Sequence, residues 1–247
     1  MVSTRSDGMQ AVLLAAGLGS RLGALTAQLP KALITVGDEP LLAHAVRFAR
    51  RAGAREVIVV GGYGFELVAA EIARRSLAVT LVRNDAFRDG NLVSLQTARP
   101  RVAPSDELLV MNIDHIYRPA VAALVAVPAD EITAFIDTDR ALGADDMKVE
   151  RDGAGCVRRI AKTLEAWDAG YVGMTRIPAT AAARYWAEAD AALTAEGRAI
   201  HVERVLARLA ATERPPACRD VSGHGWLEVD LPEERQRAEE ALLQGVW

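Results

Sequence analysis

AVLLAAGLGSRLGALTAQLPKAL, residues 11–33, sets a short apolar run against a loop with three glycines, one arginine and one lysine. Residues 11–16 carry no polar side chain, and a run of that length reads as a strand covered on both faces. Ligands of parallel α/β sheets bind beyond the C-terminal ends of the strands, so the loop after the first strand is the first place to look for a site. Gly17, Gly19 and Gly23 lack a Cβ, which lets backbone N–H groups approach a ligand, and Arg21 suits phosphate oxygens. Taken alone, these glycines read equally well as turn residues. Two familiar phosphate motifs are absent. The spacing is not GxxxxGK[ST], and Leu22 stands where a dinucleotide fingerprint needs its third glycine.

Further apolar runs at 56–61, 79–83, 108–113 and 132–136 read as buried strands. Between the first two strands, residues 41–52 place Leu42, Ala45, Val46 and Ala49 on one helical face, with Gly53 as the C-cap. Residues 65–73 repeat the pattern with Leu67, Val68, Ala70 and Ile72. Strand, helix and strand in series predict an α/β fold: a Rossmann-like, doubly wound, mostly parallel sheet with helices on both faces. After about residue 137 the rhythm changes. Residues 145–175 read as short strands and turns, and helices are expected at 181–193, 202–211 and 232–243. No repeat or linker divides the chain, so residues 10–247 form one expected domain behind a flexible leader, 1–9.

The 247 residues are 51% hydrophobic with a formal charge of −4, which leaves no basic field for nucleic acid. Cys156 and Cys218 form no CxxC pair, which argues against zinc or a disulfide framework and fits a reducing cytoplasm. The opening residues lack the apolar core of a signal peptide, and no run reaches the ~18 residues that span a bilayer. Lysine usage is more telling. Of 29 basic residues only three are lysines, Lys31, Lys148 and Lys162. A compact ammonium addresses one phosphate oxygen where guanidinium offers a planar fork, so each retained lysine is a candidate for a specific role.

LAAGLGSRL (14–22) followed by PKAL (30–33) resembles the signature of nucleotidyltransferases that join an NTP to a phosphorylated sugar or alcohol, the MobA-like, GT-A-like NTP transferases. GNLVSL (90–95), MNIDHIY (111–117), RIAK (159–162) and WLEVD (226–230) make it most similar to the CTP:inositol-1-phosphate cytidylyltransferases. Bacterial phosphocholine cytidylyltransferases share the outline. The likeness runs from about residue 11 to 243. Tyr171 departs from the inositol-phosphate pattern, which has an acidic residue two before Gly173.

The resemblance implies attack by a phosphate monoester on the α-phosphorus of CTP, with Mg²⁺ as cofactor. It assigns metal binding to Asp114, Glu228 and Asp230, and catalysis to Arg21, Lys31 and Lys162. The nucleotide would lie along Ala15, Ala16, Gly17, Gly19, Ser20, Arg21 and Lys31. Gly62, Tyr63, Gly90, Asn91 and Ser94 would surround its base. Lys162, Glu165, Asp168 and Tyr171 would hold the acceptor. Residues 10–137 then form a nucleotide-binding half, and 138–247 a small acceptor-binding subdomain with the C-terminal helix. The partners are CTP and a small phosphorylated alcohol, and a homo-oligomer is compatible. With aromatic residues at 5%, an aromatic cage for choline is poorly supplied, which favours a polyol. The same reaction on a sugar-1-phosphate, phosphocholine or a phosphonate, with CTP or another NTP, is the alternative, and a non-catalytic nucleotide-sugar binder is the remote one.

Several residues carry a competing structural reading. Asp230 with Glu233 makes a capping-box-like pattern ahead of the last helix. His115 should point away from Asp114 to the opposite face. Lys148 reads as a solvated strand residue. His44, His201 and His224 show no ligand spacing.

Overall fold

The computed structural model describes residues 8–26 and 29–244. Most of the expected leader lies outside them, and Met9 already belongs to the first strand. From β1 (Met9–Ala15) the chain passes through 3-10 turns at Ser20–Thr26 and Lys31–Leu33. A small ribbon of β2 (Thr35–Val36) and β3 (Glu39–Pro40) then leads into α1 (Leu41–Arg51). Next come β4 (Ala54–Gly61), α2 (Phe65–Arg74), β5 (Thr80–Arg83), α3 (Asn91–Ala98) and β6 (Glu107–Asn112). They are followed by β7 (His115–Tyr117), α4 (Pro119–Ala126) and β8 (Thr133–Asp137). The second half holds β9 (Lys148–Arg151), β10 (Val157–Ala161), β11 (Ala169–Ile177), α5 (Ala179–Glu196) and α6 (Glu203–Ala210). It ends with β12 (Ala217–Asp220), β13 (Trp226–Glu228) and α7 (Pro232–Leu243).

Among the described residues one nine-stranded sheet runs through both halves. Its centre, β6-β1-β4-β5, is parallel. β11 then pairs antiparallel with β6, β8 and β9 and carries the sheet into the second half. β1 faces both ways in the core. Ala11, Leu13 and Ala15 pack with α1 and α4, while Val12, Leu14 and Ala16 pack with α3 and α5 on the other face. That alternation is why the run at 11–16 has no polar position to spare. Because β4 lies on one side of β1 and β6 on the other, the connections reverse direction at β1. Such switch points open a crevice at the strand ends. The register sets Leu14 against Asn112 and Ala15 against Gly61, so three strands end level at that crevice.

Two helices escape the apolar pattern. α3 buries Leu92, Val93, Ser94, Leu95 and Ala98, nearly all around its axis, which leaves no stripe for periodicity to detect. α4 is apolar throughout and starts on Pro119 at its first turn. No helix among the described residues is long and apolar enough to cross a membrane.

Candidate active site

The loop after β1 owes its shape to Gly19. Its φ of +67° and a Cβ position only 2.8 Å from the Lys31 Cβ leave room for glycine alone. Thr26 Oγ1 donates to the Gly19 carbonyl at 2.8 Å, and buried Leu22 pins the loop to Ile34, Val36 and Leu41. Gly17 differs: a Cβ there would meet nothing within 4 Å, because it faces open space. After Pro30 the chain makes one 3-10 turn that drives Lys31 inward, to 6% exposure.

Lys31 Nζ donates to Asp114 Oδ2 at 2.7 Å and makes a short bond to Asp230 Oδ1. The other oxygen of Asp230 pairs with Arg21 at 2.5 Å. A ribbon joins these distant residues. β7 follows Asp114 directly and pairs antiparallel with β13, setting His115 against Glu228. The Val229 amide then donates to the Asp114 carbonyl at 2.8 Å. Carboxylate oxygens of Asp114, Glu228 and Asp230 come within 4.8 Å of one another.

Electrostatics follow from this packing. Burial alone would lower the Lys31 pKa, but Asp114 and Asp230 outweigh it and hold the ammonium above its ordinary value. Burial would likewise raise Asp114, yet Lys31 and His115 hold it well below the usual carboxylate range. Glu228 is pushed up by burial and by its acidic neighbours Asp114 and Asp230, against the pull of His115 and Arg140.

The cleft has a volume of about 330 Å³. Ala16, Gly17, Gly19, Ser20, Arg21 and Lys31 line it from the loop, and Asn91 and Ser94 from α3. Lys162 and Tyr171 also line it, as do the three carboxylates Asp114, Glu228 and Asp230. The remaining expected residues are not in that lining. Ala15 is buried within β1. Gly62 is wedged against Phe87 and Ala16, and the amide of Tyr63 donates to the Ala16 carbonyl. Gly90 presses on the Ile200 backbone, where a Cβ would sit 1.8 Å from its carbonyl oxygen. These residues shape the wall. Glu165 is also outside the lining, and Asp168 is tied to Arg151 Nε at 2.6 Å. Even Asn91 spends its Oδ1 on the Val202 amide, at 2.8 Å, which orients the start of α6.

Other readings need correction. His115 turns toward Asp114, with Nδ1 2.6 Å from Oδ1, because Trp226 and Tyr117 sandwich its ring. Gly173, at φ +73°, leaves the space that the imidazole fills. Asp230 is not the cap of α7. Leu231 is, and Glu234 rather than Glu233 accepts its amide. Lys148 is buried, and His201 lines the cleft. Tyr171 lines the cleft, but its hydroxyl is engaged with Thr175 Oγ1 at 2.8 Å.

Sequence reasoning missed Asn112 and Glu203. Glu203, 7% exposed, accepts from Asn112 Nδ2 at 3.2 Å and lines the cleft. Asn112 belongs to MNIDHIY (111–117), and that motif is the signal that marks it. Nothing local marks Glu203, which reaches the site through the fold.

Comparison with known proteins gives the family and the fold. Residues 11–212 match the MobA-like NTP transferase domain. The chain belongs to that family. It is 32% identical over 246 residues to the bifunctional IPC transferase and DIPP synthase of Rubrobacter xylanophilus, covering 98% of this chain and 53% of that protein. Among solved structures it resembles the inositol-1-phosphate CTP transferase from T. maritima, with a TM-score of 0.78 and 17% identity, over 96% of this chain and 98% of that one. It also resembles the CTP:phosphocholine cytidylyltransferase from Streptococcus pneumoniae, with a TM-score of 0.75 and 23% identity, over 95% and 99%. The chain spans about half the length of the curated relatives it matches.

Proposed function

We propose that this chain is a Mg²⁺-dependent cytidylyltransferase that condenses CTP with 1L-myo-inositol-1-phosphate to give CDP-inositol and pyrophosphate. An oxygen of the phosphate monoester attacks the α-phosphorus of CTP and forms the new P–O bond. The α–β bridging bond breaks, and its electron pair leaves on pyrophosphate. The nucleophile is already anionic at neutral pH, so the demand is to bring two polyanions together and to stabilise charge on the transferring group. The observation that carries this reading is the meeting of Arg21 and Lys31 with three carboxylates in one cleft that Lys162 also lines.

Arg21 and Lys31 neutralise the triphosphate and orient its α-phosphate, while Lys162 grips the acceptor phosphate. The donor set fits the ion. Asp114, Glu228 and Asp230 offer the hard oxygen ligands that magnesium prefers, and the Lys31 ammonium already rests between two of them as a cation. When bound, the ion would supply further charge neutralisation for the phosphates. On this reading residues 10–137 hold the nucleotide and 138–247 complete the acceptor wall, and the reaction belongs in the cytoplasm, where CTP is made.

A polyol is favoured over choline because Phe87 and Tyr171 are the only Phe, Tyr or Trp in the described lining, and Trp167, Trp186 and Trp226 stand outside it. No cage for a quaternary ammonium is assembled. Glu203 and Asn112 suit hydroxyl groups instead. The structural neighbour from T. maritima is itself named an inositol-1-phosphate CTP transferase. The test is pyrophosphate release with magnesium, crossing CTP, UTP, GTP, ATP and dTTP against inositol-1-phosphate, phosphocholine, glucose-1-phosphate and 2-aminoethylphosphonate. Release with CTP and inositol-1-phosphate alone is expected. Another productive pair would keep the mechanism and replace the substrate.

A further inference from the structure

Lys148 is the third lysine of the chain and the one without an assigned role. It opens β9, at the point where β9 meets both β10 and β11, with Ala161 and Gly170 as its partners across the ladders. Its side chain does not reach solvent. At 5% exposure it is as buried as Lys31, but its partners are of another kind. No carboxylate among the described residues pairs with it. Its Nζ donates to the Gly143 carbonyl at 2.8 Å and to the Lys162 carbonyl at 2.8 Å. The carbonyls of Ala144 and Asp146 lie at 3.5 Å. The Trp167 ring closes over the ammonium, 5.2 Å from its centre.

Lysine is seldom buried, because its charge must be compensated. Here backbone dipoles compensate it, and they come from two separate loops. One is the turn over 143–147, which presents Asp145 and Met147 to the cleft. The other begins at Lys162, the lysine that lines the acceptor wall. A single ammonium nitrogen gathers these carbonyls in a compact space, whereas a guanidinium would need room for its planar, three-nitrogen fork.

We infer that Lys148 is a positioning residue for the acceptor side of the cleft: it staples the 143–147 turn to the backbone of Lys162 and so fixes where the Lys162 ammonium stands. This rests on the reading of Lys162 as the acceptor-phosphate ligand. Lys148 touches no substrate. It acts through the backbone of the residue that does.

The decisive variant is Lys148→Met, which keeps the length and the apolar stem but removes every bond to the carbonyls. The acceptor KM, measured with inositol-1-phosphate, should rise roughly 10- to 100-fold, as expected for a displaced positioning group. The KM for CTP should stay within about twofold. Lys148→Arg should not restore the acceptor KM. A side chain that merely fills space would be replaced by Met without this split. An unchanged acceptor KM, or an equal rise in both KM values, overturns the proposal.

Hydrogen exchange provides a second arm that needs no turnover. Without ligand, the amides of 143–147 and 162–163 should exchange roughly tenfold faster in Lys148→Met than in the wild type, while those of β1 stay protected in both. Equal rates in the two proteins overturn the staple. If the wild type releases no pyrophosphate with inositol-1-phosphate, the proposed acceptor fails, while this exchange result still decides the role of Lys148.

Discussion

Lys31 and Lys148 are equally buried, yet one ammonium is held by carboxylates and the other by carbonyls. The carboxylates around Lys31 are the same groups proposed to take a metal ion. Its contacts can therefore be redistributed when metal and triphosphate arrive, and the lysine can transfer from acids to phosphate. The carbonyls around Lys148 belong to the backbone, which no ligand competes for. On the proposed assignment, the nucleotide side of the cleft is built on exchangeable ion pairs and the acceptor side on a fixed frame. A site with the proposed function would have use for both constructions.

Substitutions can break this contrast, and the largest effect belongs to the exchangeable side. Asp114→Asn should abolish magnesium-dependent pyrophosphate release while far-UV circular dichroism stays that of the wild type. A near-normal rate would remove Asp114 from the metal set. Lys31→Ala should lower turnover by roughly 10²- to 10³-fold at saturating substrates, the scale of losing one charge-stabilising group. Full activity would mean that the loop is not the triphosphate site. Lys162→Ala should raise the KM for inositol-1-phosphate about 10- to 100-fold, and that for CTP much less. The reverse pattern would exchange the two walls.

The smallest effects separate two glycines of the same loop. Gly19→Ala forces a left-handed φ and a clash with the Lys31 stem, and should cost about 2–4 kcal/mol in thermal unfolding. Gly17→Ala meets no protein atom and should leave stability within about 0.5 kcal/mol, while weakening CTP binding. Equal destabilisation by both would show that Gly17 is a turn residue and not part of the triphosphate surface.

Much of this was legible beforehand. The short apolar runs and the two helices between them are local signals, and β1, β4, β5, β6 and β8 fall within a residue or two of where those runs lie. α3 and α4 were not legible, because a helix buried nearly all around has no polar face to set a period. Arg21, Lys31 and Asp114 sit in recognisable motifs at the end of a strand, where position alone implies a site. Glu203 and the true direction of His115 depend on packing between segments far apart in sequence. A lysine on a strand is most often solvated, and only the two loops folding over Lys148 reverse that. Gly90 and Asp168 show the opposite error. Both lie close to the site in sequence, but one supports the Ile200 backbone and the other an ion pair at the rim.

The bond between Lys31 and Asp230 spans 199 positions. A ribosome emits about 5–20 residues per second. For roughly 10 s or more after Lys31 emerges, the chain therefore has its glycine loop and parallel strands but not the acid that completes the site. Asp114 follows Lys31 by 83 positions, and from its arrival until that of Asp230 it is the one carboxylate of the pair present to neutralise the ammonium. The β7–β13 ribbon, two three-residue strands, cannot pair until β13 has been made. A nascent chain arrested before residue 226 should carry a largely folded sheet and no catalytic capacity. The nucleotide pocket would then mature as a late event of synthesis, timed by the arrival of one short strand.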